Sequence, residues 1–210
     1  MSESSLWLID KNFYGYEKYE FKNSWLFSPV LWNVLLDKYL PRMYGHIQSL
    51  TGPFGQDVFK KINFIMNESK NDYERFCWEF SHQQIFNTKD KTLVSNAIRQ
   101  FLELNKKYNV SEEDNIGALQ HEHIIERWNE IADCIDAIDE NEYPYFVFKN
   151  NSVDDSVERW FCKWDDEIDD VVPTSLLELD EFVAEFIIVK DGRIVDFKAN
   201  NEYLKELKSI

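Results

Sequence analysis

The segment EFIIVKDGRIVDF, residues 185–197, constrains the fold more than any other stretch of the sequence. Asp191 and Gly192 separate two apolar runs, and both residue types tolerate the backbone angles of a type I′ turn. A two-residue turn of this type joins strands that lie side by side and run in opposite directions. The sequence therefore predicts a β-hairpin at this point and an antiparallel sheet that contains it.

Five further segments have the composition or the alternation of strands. They are residues 6–9, 16–21, 74–80, 143–150 and 156–164. The first two flank a turn at 12–15 and are expected to form a second hairpin, while the last two are joined through NSVDD at 151–155. The strand at 74–80 rests on the alternation of Phe76, Trp78 and Phe80.

Helical spacing and capping signals predict six helices. In the first, Ser28 is expected to be the cap, Pro29 takes the first helical position, and Pro41 ends the helix. The second helix is predicted from Val58 onwards, after a loop at 51–56. The third spans 92–107, and the fourth spans 118–139, after the start signal SEED at 111–114. Two short helices are predicted at 175–178 and 201–208. The 118–139 helix has an apolar stripe and an opposite face that is mainly Glu and Asp.

Helices dominate the first half of the chain and antiparallel strands the second, with no βαβ alternation. This order predicts an α+β fold, in which an antiparallel sheet, mostly from the C-terminal half, has helices packed on one face. The 210 residues suit a single compact domain, 1–210. An internal division near 109–117 would separate a near-neutral helical half from a strongly acidic, strand-rich half.

The acidic residues are concentrated in one region of the chain. The sequence holds 23 basic and 39 acidic residues, a net charge of −16. Residues 1–110 carry a net charge of +2, whereas residues 111–185 carry −19. Such an asymmetry points to a partner more than uniform acidity does. The densest run is WDDEIDD at 164–170, which places five acids in six consecutive positions.

Cellular location follows from three features of the sequence. The N-terminal segment MSESSLWLID lacks the basic start of a signal peptide. No stretch approaches the roughly 18 apolar residues of a spanning helix. The three cysteines are odd in number and far apart, without a CxxC pair, which favours free thiols in a reducing compartment. We therefore expect a cytoplasmic protein without a membrane anchor.

Candidate catalytic and metal motifs are weak, and we expect no cofactor, no metal site and no catalytic residue. An EF-hand that starts at Asp165 would need Gly and Glu where Asp170 and Leu176 stand. In HEHIIE, at 121–126, the two histidines are two residues apart and are expected to point to different sides of one helix, one half-buried and one exposed. Cys77 and His82 are neighbours in sequence, but no third residue orients them as a nucleophile and its base.

Trp32, Trp78 and Trp128 fall on apolar periodic positions and are expected in the core, whereas two other tryptophans stand apart. Trp160 and Trp164 share a face of the predicted strand 156–164 and flank the acidic run, so we expect both to be partly exposed. Aromatic side chains beside charge are typical of interface hot spots. The predicted partner-binding residues are Asp154, Asp155, Trp160, Trp164, Asp165, Asp166, Glu167, Asp169 and Asp170.

These features favour a non-enzymatic protein that binds a basic protein partner, such as a toxin or nuclease, through its C-terminal half. Inhibitors and immunity proteins of bacterial toxin systems act in this way, although no motif assigns the chain to a family of them. Two alternatives stay open: a DNA mimic or anti-defence protein, and a hydrolase that uses carboxylates and a divalent metal. The negative charge disfavours direct nucleic-acid binding. The sequence leaves the oligomeric state undetermined.

Overall fold

The computed structural model describes residues 3–22, 27–40, 55–110, 116–149 and 156–208, and it confirms an α+β fold. Within these residues the chain forms seven α-helices and eight strands, and every strand pair is antiparallel. The structure divides into two compact units that are interleaved in sequence. The helical unit comprises Trp25–Ser81 and Thr92–Asp136, and the sheet unit comprises Met1–Ser24, His82–Lys91 and Ala137–Ile210.

The helical unit is built from five helices. They are α1 (Ser28–Tyr39), α2 (Gly55–Asn67), α3 (Asp72–Ser81), α4 (Lys91–Leu104, in this unit from Thr92) and α5 (Glu122–Asp136). The first begins one residue earlier than expected, because Phe27 occupies the cap position and Ser28 is already helical. Of the predicted loop at 51–56, residues 51–54 lie outside the described residues, as does the start signal at 111–114.

The predicted strand at 74–80 is wrong, because this segment is helix α3. Its buried residues include both the alternating aromatics and the intervening Cys77 and Glu79. When nearly every position of a helix is buried, the apolar pattern loses its 3.6-residue period and the aromatics can alternate as in a strand. Burial on all sides therefore removes the sequence pattern that distinguishes a helix from a strand.

The core of the helical unit is aromatic. Trp128 of α5 is fully buried and packs against Phe27, with ring centroids 4.5 Å apart, and against Phe101 of α4 at 5.6 Å. Trp78 is also buried, so the core positions expected for Trp78 and Trp128 are confirmed. Trp32 is half-buried, and its indole N–H donates a hydrogen bond of 3.0 Å to the hydroxyl of Ser81.

The main sheet of the sheet unit has four strands in the order β2-β1-β4-β3. They are β1 (Glu3–Ile9), β2 (Gly15–Lys22), β3 (Phe86–Asn87) and β4 (Tyr145–Lys149). The expected hairpin at 6–21 and the strand at 143–150 are therefore confirmed. Although five of the eight described strands follow residue 140, β1, one of the two inner strands of this sheet, comes from the N-terminal end of the chain.

Two further hairpins complete the sheet unit. One joins β5 (Cys162–Asp165) to β6 (Asp170–Pro173), and the other joins β7 (Glu185–Lys190) to β8 (Arg193–Ala199). In the second, Asp191 and Gly192 have φ angles of 53° and 76°, as a type I′ turn requires. This hairpin was the strongest prediction from the sequence, and it is confirmed.

The predicted strand at 156–164 is wrong in its first half, where the structure has helix α6 (Ser156–Trp160) before β5. Val157 and Trp160 are buried, while Glu158 and Arg159 between them are exposed. This spacing of three residues is that of a helix and not of a strand. The linking segment 151–155 lies outside the described residues.

Helices α6 and α7 (Asn200–Lys208) contribute to one apolar core in the sheet unit. This core includes residues of β1, β4, β7, α6 and α7. Phe161 stacks on Trp7 with ring centroids 5.5 Å apart. A Cβ atom at Gly15 would lie 2.4 Å from carbons of the Phe161 ring, so the start of β2 approaches this ring too closely for a side chain.

Thr92–Asp136 belongs to the helical unit. The single domain 1–210 and an internal division near 109–117 both stay predictions. The short helix expected at 175–178 is a 3₁₀ turn, Leu176–Glu178, in which the Ser175 hydroxyl accepts a hydrogen bond from the N–H of Leu177. The helix expected at 201–208 is confirmed as α7.

Candidate functional site

The acidic run forms the tip of the β5–β6 hairpin, which we call the acidic hairpin (residues 162–173). Trp164 lies opposite Val171 and Asp165 lies opposite Asp170, so the turn consists of residues 166–169. Asp169 has a positive φ of 54°, which an aspartate tolerates better than most side chains. The turn is further ordered by the Asp165 carboxylate, which accepts a hydrogen bond of 2.9 Å from the N–H of Glu167.

The acidic hairpin exposes apolar and acidic side chains side by side. Trp164 is 57% exposed, and its cross-strand neighbour Val171 is 51% exposed. Ile168 in the turn is 60% exposed. The exposed acids beside them are Asp166, Glu167, Asp169 and Asp170, whereas Asp165 is half-buried. Exposed apolar residues that are clustered, and not scattered singly, mark binding surfaces.

None of the five acids at 165–170 forms an ion pair with a described residue. The nearest pair in sequence joins Lys163 to Glu178, with 2.5 Å between Nζ and Oε2. This hydrogen bond raises the pKa of Lys163 and lowers the pKa of Glu178, so both groups stay charged at neutral pH. The negative charge of the turn is therefore left available to an external cation.

The structure brings some of the predicted binding residues together on one surface and places another in the core. Trp164 and the five acids at 165–170 come together on the acidic hairpin. The expectation that Trp160 is partly exposed is wrong, since it is 2% exposed in the core of the sheet unit. It lies at the end of α6 and does not share a strand face with Trp164. Asp154 and Asp155 lie outside the described residues.

Helix α5 carries the second group of acids, and much of its charge is compensated. Its five acidic residues are Glu122, Glu126, Glu130, Asp133 and Asp136. Arg99 of α4 binds Asp133 at 2.6 Å and Asp136 at 2.9 Å, and Arg127 pairs with Glu130. Three of the five carboxylates are thus engaged within the helical unit, in contrast to those of the acidic hairpin.

The two histidines at 121 and 123 are arranged differently from the expectation. His121 precedes α5 with extended backbone angles, so the two side chains do not belong to one helix. Their ring centroids are 5.7 Å apart, and the rings are therefore neighbours. The predicted exposure is confirmed, with His121 half-buried and His123 exposed. Among the described residues, no three His, Cys, Asp or Glu side chains are grouped to hold a metal ion.

Cys77 lies in α3 and is completely buried. Burial raises the pKa of its thiol well above the usual range, and the nearby Glu74 carboxylate adds to the rise. A nucleophilic cysteine needs the opposite environment, in which positive charge lowers the thiol pKa and solvent reaches the sulfur. The geometry of Cys77 is that of a core residue.

We expect a disulfide exchange reagent to modify Cys134 and Cys162 in the native protein and to spare Cys77 until the chain unfolds. Cys134 and Cys162 are half-buried, whereas Cys77 has no solvent access. Burial and the acids Glu130 and Asp133 raise the pKa of Cys134. The rate at which Cys134 reacts should therefore continue to rise at pH values where an ordinary thiol is already ionised. The measurement is the absorbance of released thiolate over time, with and without denaturant.

The double variant C134S/C162S is the control for this experiment. It retains Cys77 alone and should show no fast reaction under native conditions. A fast reaction of this variant would show that α3 opens readily, which its complete burial argues against.

A shallow cavity of about 390 Å³ lies elsewhere on the sheet unit. Its lining residues are Asp10, Lys11, Tyr16, Asn141, Glu142 and Tyr143. The Tyr16 and Tyr143 rings meet edge to face at 6.2 Å, and the Lys18 ammonium lies 5.0 Å from the centre of the Tyr143 ring. Sequence reasoning did not find this cavity, because its two walls are far apart in sequence and carry no shared motif.

No family model, no curated protein and no solved structure matches this chain. Within the described ranges, every helix is too short or too polar to cross a lipid bilayer.

Proposed function

We propose that this protein is a non-enzymatic binding protein whose acidic hairpin engages a basic protein partner, as an inhibitor or immunity-type protein does. One observation carries the proposal: an exposed Trp164–Val171 pair lies on the same hairpin as five acids that have no ion-pair partner among the described residues. Such a surface offers a partner both apolar contact area and complementary charge.

The two components of this surface have different physical roles. A tryptophan that becomes buried on binding is a typical hot-spot residue, and its truncation commonly costs 2 kcal/mol or more, in general about thirtyfold in affinity. Acids around it attract and orient a cationic partner, which accelerates encounter more than it strengthens the final complex. The apolar pair should therefore control dissociation, and the acids should control association and its dependence on salt.

The cytoplasm is the proposed compartment. All three cysteines are free thiols in the structure, and a reducing environment preserves them in this form. A basic toxin or nuclease in the same compartment is the kind of partner that fits this surface, since its phosphate-binding cleft would attract carboxylates.

Helix α5 supports the DNA-mimic alternative less well. A mimic needs free carboxylates spaced along an extended surface, since duplex DNA carries about one charge per 1.7 Å of its axis. Three of the five α5 carboxylates are already bound to Arg99 or Arg127. The hairpin therefore remains the better candidate for an interface.

We expect a tagged chain to retain a basic protein from extracts of its source cells, and neutralising the hairpin to abolish this retention. The variant D165N/D166N/E167Q/D169N/D170N removes five negative charges from the acidic hairpin. Capture should also weaken between low and moderate salt, because the Debye length shortens from about 30 Å at 0.01 M to 8 Å at 0.15 M. Mass spectrometry of the eluate and titration with the captured protein provide the measurement.

A matched control changes the net charge by the same amount at exposed acids elsewhere. It is E122Q/E126Q/E140Q/E181Q/E202Q. This control should retain the partner, and W164A should retain it about thirtyfold more weakly. If the hairpin variant and the control behave alike, the acidic hairpin is not the interface.

A further inference from the structure

The two edges of the acidic hairpin differ in their hydrogen-bonding groups, and the backbone pattern identifies which groups face outwards. The N–H of Thr174 donates to the carbonyl of Phe161 at 2.9 Å, one step beyond the Cys162–Pro173 pair. Hydrogen-bonded pairs alternate along an antiparallel ladder. The next bonded pair is therefore Lys163 with Val172, and the backbone groups of Trp164 and Val171 point away from the hairpin.

The outer edge of β6 has no donor to offer. Pro173 carries no N–H group at all. The N–H of Val171 is already bound, because it donates to the Asp170 carboxylate at 2.7 Å. A proline and a capped amide are the devices by which edge strands avoid pairing with another chain.

The outer edge of β5 lacks this protection. The outward backbone groups belong to Cys162 and Trp164, and no described residue bonds to them. The side chains of these two residues lie on one face of the hairpin with Val171, whereas Lys163, Asp165, Asp170 and Val172 lie on the other. The open edge thus runs between an apolar face and a face with two carboxylates and Lys163, whose charge is paired with Glu178.

We propose that the partner docks through an extended segment that adds a third strand along β5, with alternating apolar and basic side chains. This inference rests on the proposed function, because it specifies how the same hairpin holds its partner. The period of two along a strand places the apolar side chains of the incoming segment beside Trp164 and its basic side chains on the face of Asp165 and Asp170. Lys163 lies on the same face, where Glu178 already neutralises its charge. Backbone bonds then supply affinity, and the two faces supply specificity.

A second copy of this chain is a poorer occupant of the edge. Pairing of two β5 strands would bring together two hairpins that each carry five acids at positions 165–170. Each chain also has a net charge of −16. Like charges on neighbouring strands are destabilising, so this charge favours a cationic strand over an identical one.

The experiment uses the full chain labelled with ¹⁵N and a blocked peptide of about eight residues with alternating lysine and valine. At low salt the amide signals of Cys162 and Trp164 should shift and become protected from hydrogen exchange, while that of Val171 should not. Two peptide analogues provide the matched comparison, one methylated at the backbone nitrogens of its lysines and the other at those of its valines. Because successive N–H groups of a strand point to opposite sides, only one analogue keeps its donors towards β5.

We expect one methylated analogue to bind about tenfold more weakly than the parent peptide, because it loses the hydrogen bonds that its N–H groups donate to Cys162 and Trp164. The other analogue should bind within about twofold. A pair of chain variants tests the same point from the other side. W164A loses the indole and keeps the outward N–H, whereas W164P loses both, so W164P should bind the peptide about fivefold more weakly than W164A. Retained ladder amides of Lys163 and Val172 would show that the hairpin of each variant is intact.

The outcomes separate this inference from the proposed function. If both methylated analogues bind like the parent peptide, side chains alone hold it, and strand addition is overturned while the hairpin remains the binding surface. If none of the peptides shifts the β5 amides, strand addition is also overturned. The pull-down with the neutralised hairpin then decides independently whether the hairpin binds a partner at all.

Discussion

Replacing Glu74 by glutamine is expected to lower the free energy of unfolding of the helical unit by about 3–5 kcal/mol. The Glu74 carboxylate is fully buried and pairs with the ammonium group of Lys38. Its other oxygen accepts a hydrogen bond of 2.5 Å from the Tyr39 hydroxyl and one of 3.3 Å from the Asn71 amide. The substitution leaves the Lys38 charge largely buried without its counter-ion, and uncompensated charge of this kind is costly.

The neighbouring groups show that this network is specific. Lys38 also donates to Asn105 at 3.0 Å, so α1, α3 and the residue that follows α4 meet at one charged centre. Burial, followed by the Glu74 carboxylate, raises the pKa of the Tyr39 hydroxyl, which keeps Tyr39 a donor at all physiological pH values. Glutamine has nearly the same shape as glutamate, so any loss of stability comes from charge and hydrogen bonding.

Chemical denaturation with guanidinium chloride measures the change, and Glu103→Gln provides the control. Glu103 pairs with Lys106 at 2.6 Å in the same unit, but its side chain is 70% exposed. Exposed pairs contribute between 0 and 1 kcal/mol, so this variant should unfold almost like the original chain. Equal effects of the two substitutions would contradict the role assigned to the buried pair.

Phe186→Ala is expected to destabilise the sheet unit by about 3–5 kcal/mol. Phe186 is buried on β7 and lies among three aromatic rings. Its ring centroid is 4.6 Å from that of Tyr203, 5.2 Å from that of Tyr145 and 6.4 Å from that of Phe13. Removal of the ring leaves a cavity that three rigid neighbours cannot close, which is the condition for a large cost.

Val195→Ala is the matched control, because it shortens an exposed side chain of β8, the partner strand of β7. Its effect should stay within about 0.5 kcal/mol. Thermal unfolding followed by circular dichroism measures both variants. A loss below 1 kcal/mol for Phe186→Ala would mean that the core around α7 is loosely packed.

The Glu74 and Phe186 variants together also test the prediction of a single domain. If the chain unfolds in one cooperative transition, each substitution should lower the stability reported by every probe. If each variant shifts only part of the unfolding curve, the helical unit and the sheet unit unfold separately.

The sequence predicted the fold well wherever a local signal has only one structural meaning. Asp191 and Gly192 specify a turn that joins antiparallel strands, and the structure has that turn. The strand predicted at 74–80 failed because burial on all sides hides the helical period. The strand predicted at 156–164 failed in its first half because Val157 and Trp160, three residues apart, form one buried helical face.

The candidate site was predicted in its composition but not in its geometry. Trp164 and the acids at 165–170 do lie together on an exposed hairpin, and Trp160 does not join them. The difference between the two hairpin edges could not be predicted, because it depends on which backbone groups face outwards. That in turn depends on the register of β5 and β6, which the type and length of the turn at 166–169 fix. The sequence has no turn signal there as specific as Asp191-Gly192.

The inner position of β1 in the main sheet has a consequence for biosynthesis. Its partner β4 lies about 140 residues later in the chain. At synthesis rates of about 5–20 residues per second, β1 waits roughly 7 to 28 seconds for that strand to be made. During this time the β1–β2 hairpin has an unfilled edge and no complete core. Unpaired strand edges of this kind make a nascent chain prone to aggregation until the partner strand is available.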